Sequence, residues 1–155
     1  MSGDPEMHHT SPGTLARGAA ETESAGRDLA ARLKPGDLIL VSGEVGAGKS
    51  TLIRAAMREI GVTGAIPSPT FTIGRLYEGE SQRMPVAHLD LHRLGGLEDE
   101  DPGLLDEYFG EDRVSFVEWP GGAAAQLSEM ATRVVRVAID HVDAESRRIS
   151  VELPA

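Results

Sequence analysis

Residues 43–50 read Gly-Glu-Val-Gly-Ala-Gly-Lys-Ser, the complete G-x-x-x-x-G-K-[ST] spacing of a phosphate-binding loop. The chemistry explains the residue types. Gly43, Gly46 and Gly48 let the backbone curl so that successive N–H groups point at phosphate oxygens, beside the positive end of a helix beginning near Lys49. Lys49 places an ammonium on the outer phosphates, and the short hydroxyl of Ser50 is a ligand for Mg²⁺. The only other lysine is Lys34.

Such a loop has to be held between a strand and a helix, and both are legible. Residues 37–42 form an apolar run of strand length, announced by Pro35 and Gly36. After the loop, Leu52, Ile53, Ala56, Met57 and Ile60 share one helical face, and Gly61 closes the segment.

The loop also needs carboxylates from neighbouring strand ends, one to organise Mg²⁺ and often one to orient water. Glu118 ends the apolar run of residues 114–117, and Asp90 ends the run of residues 84–91. In that second run Ala87, Leu89 and Leu91 alternate with Val86, His88 and Asp90. His88, Asp90 and His92 therefore share one face, and a metal site without a nucleotide is the competing chemistry there. A histidine hydrogen-bonded in a partly buried position is the blander reading. Arg93 is either phosphate-directed or simply exposed.

The remaining pattern predicts a mobile arm over residues 1–20, rich in Gly, Ser, Pro, Thr and His, then a helix over residues 22–33. Two prolines stiffen residues 66–71 and can hold Thr70 in place. Strand-like runs follow at 71–77 and 84–91, a short helix at 102–109 and a buried strand at 114–119. Residues 133–141 and 147–153 alternate cleanly and form an antiparallel hairpin. The expectation is one mixed sheet covered by helices, in a single domain over residues 21–155.

Composition narrows the class. The net charge of −10 argues against non-specific binding to a polyanion, and residues 98–112 are densely acidic. The chain has no cysteine and no apolar stretch long enough to cross a bilayer, so a cytoplasmic protein is expected. It has no Asn, which rules out the N-K-x-D guanine-reading motif of a GTPase.

Taken together, the phosphate loop through Thr51, the Ser68-Pro69-Thr70-Phe71 segment, the stretch from His88 to Leu94, and Val117-Glu118-Trp119-Pro120 resemble the TsaE (YjeE) family over about residues 22–153. That resemblance implies a compact α/β P-loop NTPase domain with a parallel core. It implies ATP hydrolysis in the bacterial system that makes threonylcarbamoyladenosine in tRNA, with TsaB and TsaD as partners and tRNA met only indirectly. Carried onto matching positions, the nucleotide would meet Thr22 and the loop residues Gly43, Glu44, Val45, Gly46, Ala47, Gly48, Lys49, Ser50 and Thr51. Ser50 and Glu118 would organise Mg²⁺, Asp90 would act as base or water-positioning acid, and Thr70 would sense the γ-phosphate. Thr22 also reads as a helix N-cap, and Trp119, which matches a family residue needed for function, also reads as core. Arg147 and Arg148 fall where the C-terminal hairpin would meet the base. His92 departs from the family's usual tyrosine, and Ser50 from its commoner threonine. The alternatives are a small P-loop kinase, for which no arginine-rich lid is found, and a nucleotide-sensing module without hydrolysis.

Overall fold

The apolar run before the loop is buried on both faces, as a strand in the middle of a parallel sheet must be. In the computed structural model, which describes residues 9–10, 13–44, 46–67, 74–91, 107–119 and 124–154, this run is β3 (Asp37–Ser42). Its Leu38, Ile39, Leu40 and Val41 are at most 3% exposed. Each such side chain contributes about 1.5–3 kcal/mol of burial free energy, so the strand that ends in the loop is anchored independently of it.

Around β3 the described strands are β1 (His9–Thr10), β2 (Thr14–Arg17), β4 (Gly74–Tyr77), β5 (Val86–Asp90), β6 (Val114–Glu118), β7 (Arg133–His141) and β8 (Ser146–Leu153). They form one sheet in the order β1-β8-β7-β3-β6-β5-β4, with β2 also on β8. The pairs β7–β3, β3–β6 and β6–β5 are parallel. The outer pairs β4–β5, β7–β8, β2–β8 and β1–β8 are antiparallel. The mixed α/β sheet with its C-terminal hairpin is thus as expected.

Alternation along the strands sorts two cores. Ile39, Val41, Val86, Phe116, Val135 and Ile139 face helices α1 (Gly18–Ala30) and α2 (Lys49–Ile60). Leu38, Leu40, Ala87, Leu89 and Val117 face the short helix α3 (Ala124–Glu129) and the turn carrying Tyr108 and Phe109. The chain leaves β3 for β5 on one side and reaches β7 on the other, so the strand order reverses beside β3. Open α/β sheets bind ligands beyond the carboxyl ends of their strands at such a point.

Helices α1 and α2 touch because Gly26 has no side chain. A Cβ there would lie 2.4 Å from the Leu52 carbonyl oxygen and 3.0 Å from Ala55 Cβ. The guanidinium of Arg83 donates to the Ala30 and Leu33 carbonyls and so covers the end of α1.

Two expectations change. Residues 14–20, assigned to a mobile arm, form β2 on β8 and the first residues of α1, which starts at Gly18 rather than Thr22. The run Thr14-Leu15-Ala16-Arg17 buries only Ala16, too little to register as a strand pattern. Of the helix expected over residues 102–109, Glu107 and Tyr108 form a turn, and residues 102–106 lie outside the described part, as do residues 1–8 of the arm. No helix among the described residues is long and apolar enough to cross a membrane.

Candidate functional site

The loop leaves β3 at Gly43, where a Cβ would stand 2.4 Å from the Ile139 carbonyl oxygen on the neighbouring chain segment. Only glycine fits that approach. Lys49 opens α2 and is 5% exposed. Its Nζ donates to the carbonyls of Gly43 (2.6 Å) and Glu44 (3.0 Å), so the loop wraps around its own lysine. The same ammonium lies 4.0 Å from the centroid of the Trp119 ring. Burial pushes its pKa below the ordinary lysine value, while the charges of Glu118 and Asp90 pull it back up.

Those two acids end adjacent parallel strands and face each other in register. Glu118 is 3% exposed, and its Oε2 lies 2.7 Å from Nε2 of His88. Asp90 is partly exposed. Trp119, immediately after Glu118, has φ 57° and is the one non-glycine residue with positive φ among the described residues. Its N–H still donates to the Val41 carbonyl at 3.2 Å, tying β6 to β3 at the loop. A bulky residue in that region costs on the order of 1–3 kcal/mol, and here the turn swings the indole over Lys49.

Beside the loop, a cavity of about 530 Å³ is lined by Thr22, Gly46, Gly48, Thr51, Arg17 and Arg147, among others. Thr22 is buried in the second turn of α1, its hydroxyl donating to the Gly18 carbonyl at 3.3 Å. It is therefore not the N-cap, a position that Arg17 holds. Arg147 on β8 reaches back to the loop. Its Nε donates to Ala47 O (3.1 Å) and its Nη2 to Gly46 O (3.3 Å), while Nη1 donates to Asp143 O and Ser146 O. Arg147 thus braces the loop's outer carbonyls and also lines the cavity beside it. Arg148 is exposed.

Of the expected site residues, Gly43, Glu44, Gly46, Ala47, Gly48, Lys49, Ser50, Thr51, Thr22, Asp90, Glu118 and Trp119 converge around the β3 carboxyl end. Val45, Thr70, His92 and Arg93 lie outside the described residues. Of the competing metal triplet, His88 has its Nε2 engaged with Glu118, and His92 lies outside the described residues. Among the described residues no three His, Cys, Asp or Glu are grouped as a self-sufficient metal site.

Residues 16–149 match the family model described as threonylcarbamoyl adenosine biosynthesis protein TsaE. The chain belongs to the TsaE family. TsaE relatives named as tRNA threonylcarbamoyladenosine biosynthesis proteins include one from Streptomyces coelicolor, 41% identical over 81% of this chain and 86% of the relative. Another, from Bacillus subtilis, is 37% identical over 74% of this chain and 70% of the relative. The crystal structure of Bacillus subtilis YdiB superposes with a TM-score of 0.74 at 25% identity, covering 97% of this chain and 90% of that one. The match to the TsaE model begins at Ala16, so it takes in the last two residues of β2, the strand that sequence patterning missed.

Proposed function

We propose that this TsaE-family chain binds ATP with Mg²⁺ and hydrolyses it as a cytoplasmic component of bacterial tRNA N6-threonylcarbamoyladenosine synthesis. It acts with TsaD and TsaB and meets tRNA only indirectly. One observation carries the reading: a buried Lys49 ammonium at the start of α2, flanked by Glu118 and Asp90 from the carboxyl ends of two parallel strands. The names of the relatives supply the pathway.

In this reading the loop N–H groups and the α2 terminus take the phosphates, and Lys49 exchanges the Gly43 and Glu44 carbonyls for phosphate oxygens. Ser50 and Glu118 would hold Mg²⁺, since both offer hard oxygen donors of the kind it takes. When bound, Mg²⁺ neutralises charge on the phosphates. Asp90, partly exposed beside Glu118, orients the attacking water. Thr22 and the cavity beside Gly48 receive the nucleoside. Thr70 keeps the role that family resemblance assigns, sensing the γ-phosphate, and Arg93 is a further candidate for a phosphate contact.

Turnover of ATP with and without TsaB and TsaD tests this. The expected result is phosphate release that rises with the partners and leaves no phosphorylated acceptor. A phosphorylated product would favour the kinase; binding without release under any condition would favour a sensing module. Trp119, the only tryptophan, reports nucleotide binding through its emission, because Lys49 leaves its ring when it engages phosphate.

A further inference from the structure

We infer that His88 is a positioning residue that fixes the Glu118 carboxylate for a divalent ion; this rests on the nucleotide and Mg²⁺ reading above. His88 is 1% exposed and Glu118 3%, and their Nε2 and Oε2 are 2.7 Å apart. An ionised carboxylate only accepts, so the hydrogen in this contact is on Nε2. The tautomer that donates from Nε2 leaves a bare lone pair on Nδ1, and Nδ1 is buried with no hydrogen-bond partner among the described residues.

That arrangement is costly for a purely structural residue. A buried polar atom without a partner is destabilising, and the strand position would accept an apolar side chain without that penalty. His88 lies beside Phe116 in the β5–β6 register, two residues before the level at which Asp90 faces Glu118. It therefore holds Glu118 from the core side, one pleat below the site. Securing Oε2 from below fixes the rotamer of the long glutamate side chain and commits Oε1 to the ion. Conserving a hydrogen bond behind a metal-directed group is a general way of setting its orientation, and its loss typically costs 10–100-fold in metal affinity. Nothing in the periodicity of β5 distinguishes this from a core histidine; the partner 30 residues away does.

The test uses the full chain and Mn²⁺ as the probe, its binding read by electron paramagnetic resonance with and without ADP. His88→Met removes the donor and should weaken Mn²⁺ binding to the ADP complex by about 10–100-fold, while ADP affinity in EDTA changes less than about threefold. His88→Gln, whose amide nitrogen reaches the Nε2 position, should stay within about fivefold of wild type; His88→Asn, too short, should fall with His88→Met. In a Glu118→Ala background His88→Met should cause no further loss. Should His88→Met fail to fold, the order of the Gln and Asn variants decides, and equal Mn²⁺ affinity in the two overturns the inference. So does a loss of unchanged size in the Glu118→Ala background. Wild-type protein that binds Mn²⁺ no better with ADP than without it removes the site reading and this inference together. Wild type and His88→Met binding alike removes the inference alone.

Discussion

The two ends of strand β3 both bury charge, and they do so in opposite ways. At its amino end Asp37 is 1% exposed and fully served: Oδ1 accepts from Arg133 Nε at 2.7 Å across the β3–β7 pair, and Oδ2 accepts from the Lys34 N–H at 2.8 Å. At its carboxyl end Lys49 is held by carbonyls of a loop, with its pKa lowered by burial, over a tryptophan in left-handed backbone, and the neighbouring Glu118 is paired with a histidine whose Nδ1 has no partner among the described residues. A cavity lies at each end, so concavity does not separate them. Satisfaction does. Groups whose hydrogen bonds close on each other stabilise the fold, whereas strained and under-served groups gather where a ligand is to complete them.

The largest effect that sharpens this contrast is on turnover. Lys49→Ala should lower partner-stimulated ATP hydrolysis by about 10²–10³-fold or more and weaken nucleotide binding. Its unfolding free energy in urea should change by no more than about 1 kcal/mol, because the lost hydrogen bonds are offset by relief of the buried ammonium. Asp90→Ala should abolish hydrolysis while keeping nucleotide binding, and hydrolysis that survives would take Asp90 out of the mechanism. At the other end the signs reverse. Asp37→Ala leaves Arg133 and the Lys34 N–H without their acceptor and should cost about 2–4 kcal/mol in denaturant unfolding, with nucleotide affinity of the folded protein unchanged. If Asp37→Ala instead impaired binding while leaving stability intact, the division between the ends would fail.

How much of this contrast was legible beforehand follows from the range of each interaction. The loop, its lysine and the strand before it are contiguous in sequence, and the alternation that puts Asp90 on one face with His88 is local. All were readable from residues 37–60 and 84–91. The mixed sheet followed from the contrast between continuous apolar runs and the alternating C-terminal pair, and its parallel core from the family resemblance. What was hidden is the pairing across distance: Arg147 reaches Ala47 from 100 residues away, Arg133 reaches Asp37 from 96, and His88 reaches Glu118 from 30. No periodicity encodes which partner a side chain meets once the sheet order is set. The positive φ of Trp119 is likewise invisible, because a tryptophan after a strand carries no turn signal. Strand β2 was missed for a different reason, since its four residues bury one alanine.

Arg147 offers a smaller test on the active end. Its planar fork spans the carbonyls of Ala47 and Gly46 and so ties the outer side of the loop to β8. Arg147→Ala should weaken nucleotide binding by about tenfold, or about 1.4 kcal/mol, measured by calorimetry, with thermal stability little changed. Lysine should not restore it fully, because one ammonium cannot replace a guanidinium that donates from three nitrogens to the carbonyls of Ala47, Gly46, Asp143 and Ser146 at once. Full affinity in Arg147→Lys would show that charge alone, rather than the brace, serves the loop.

The smallest effect is the pH dependence of stability, and it probes Lys49 directly. Because burial lowers the folded-state pKa of Lys49 below 10.5, the unfolded chain binds more protons between those two values, and stability contributed by this residue rises with pH across that window. Tyr77 and Tyr108 act in the opposite sense: burial raises both above 10.0, so the folded chain keeps their protons longer and loses stability as pH climbs past the unfolded value. A comparison of wild type with Lys49→Met cancels the tyrosines. The stability difference between them should move in favour of wild type as pH approaches 10.5 from below. Saturating nucleotide should flatten that slope or reverse it, since phosphate beside the ammonium raises its pKa again. A difference that stays level in the free protein would mean that the loop carbonyls and the two acids already compensate the buried charge, and the carboxyl end of β3 would then be as well served as the amino end.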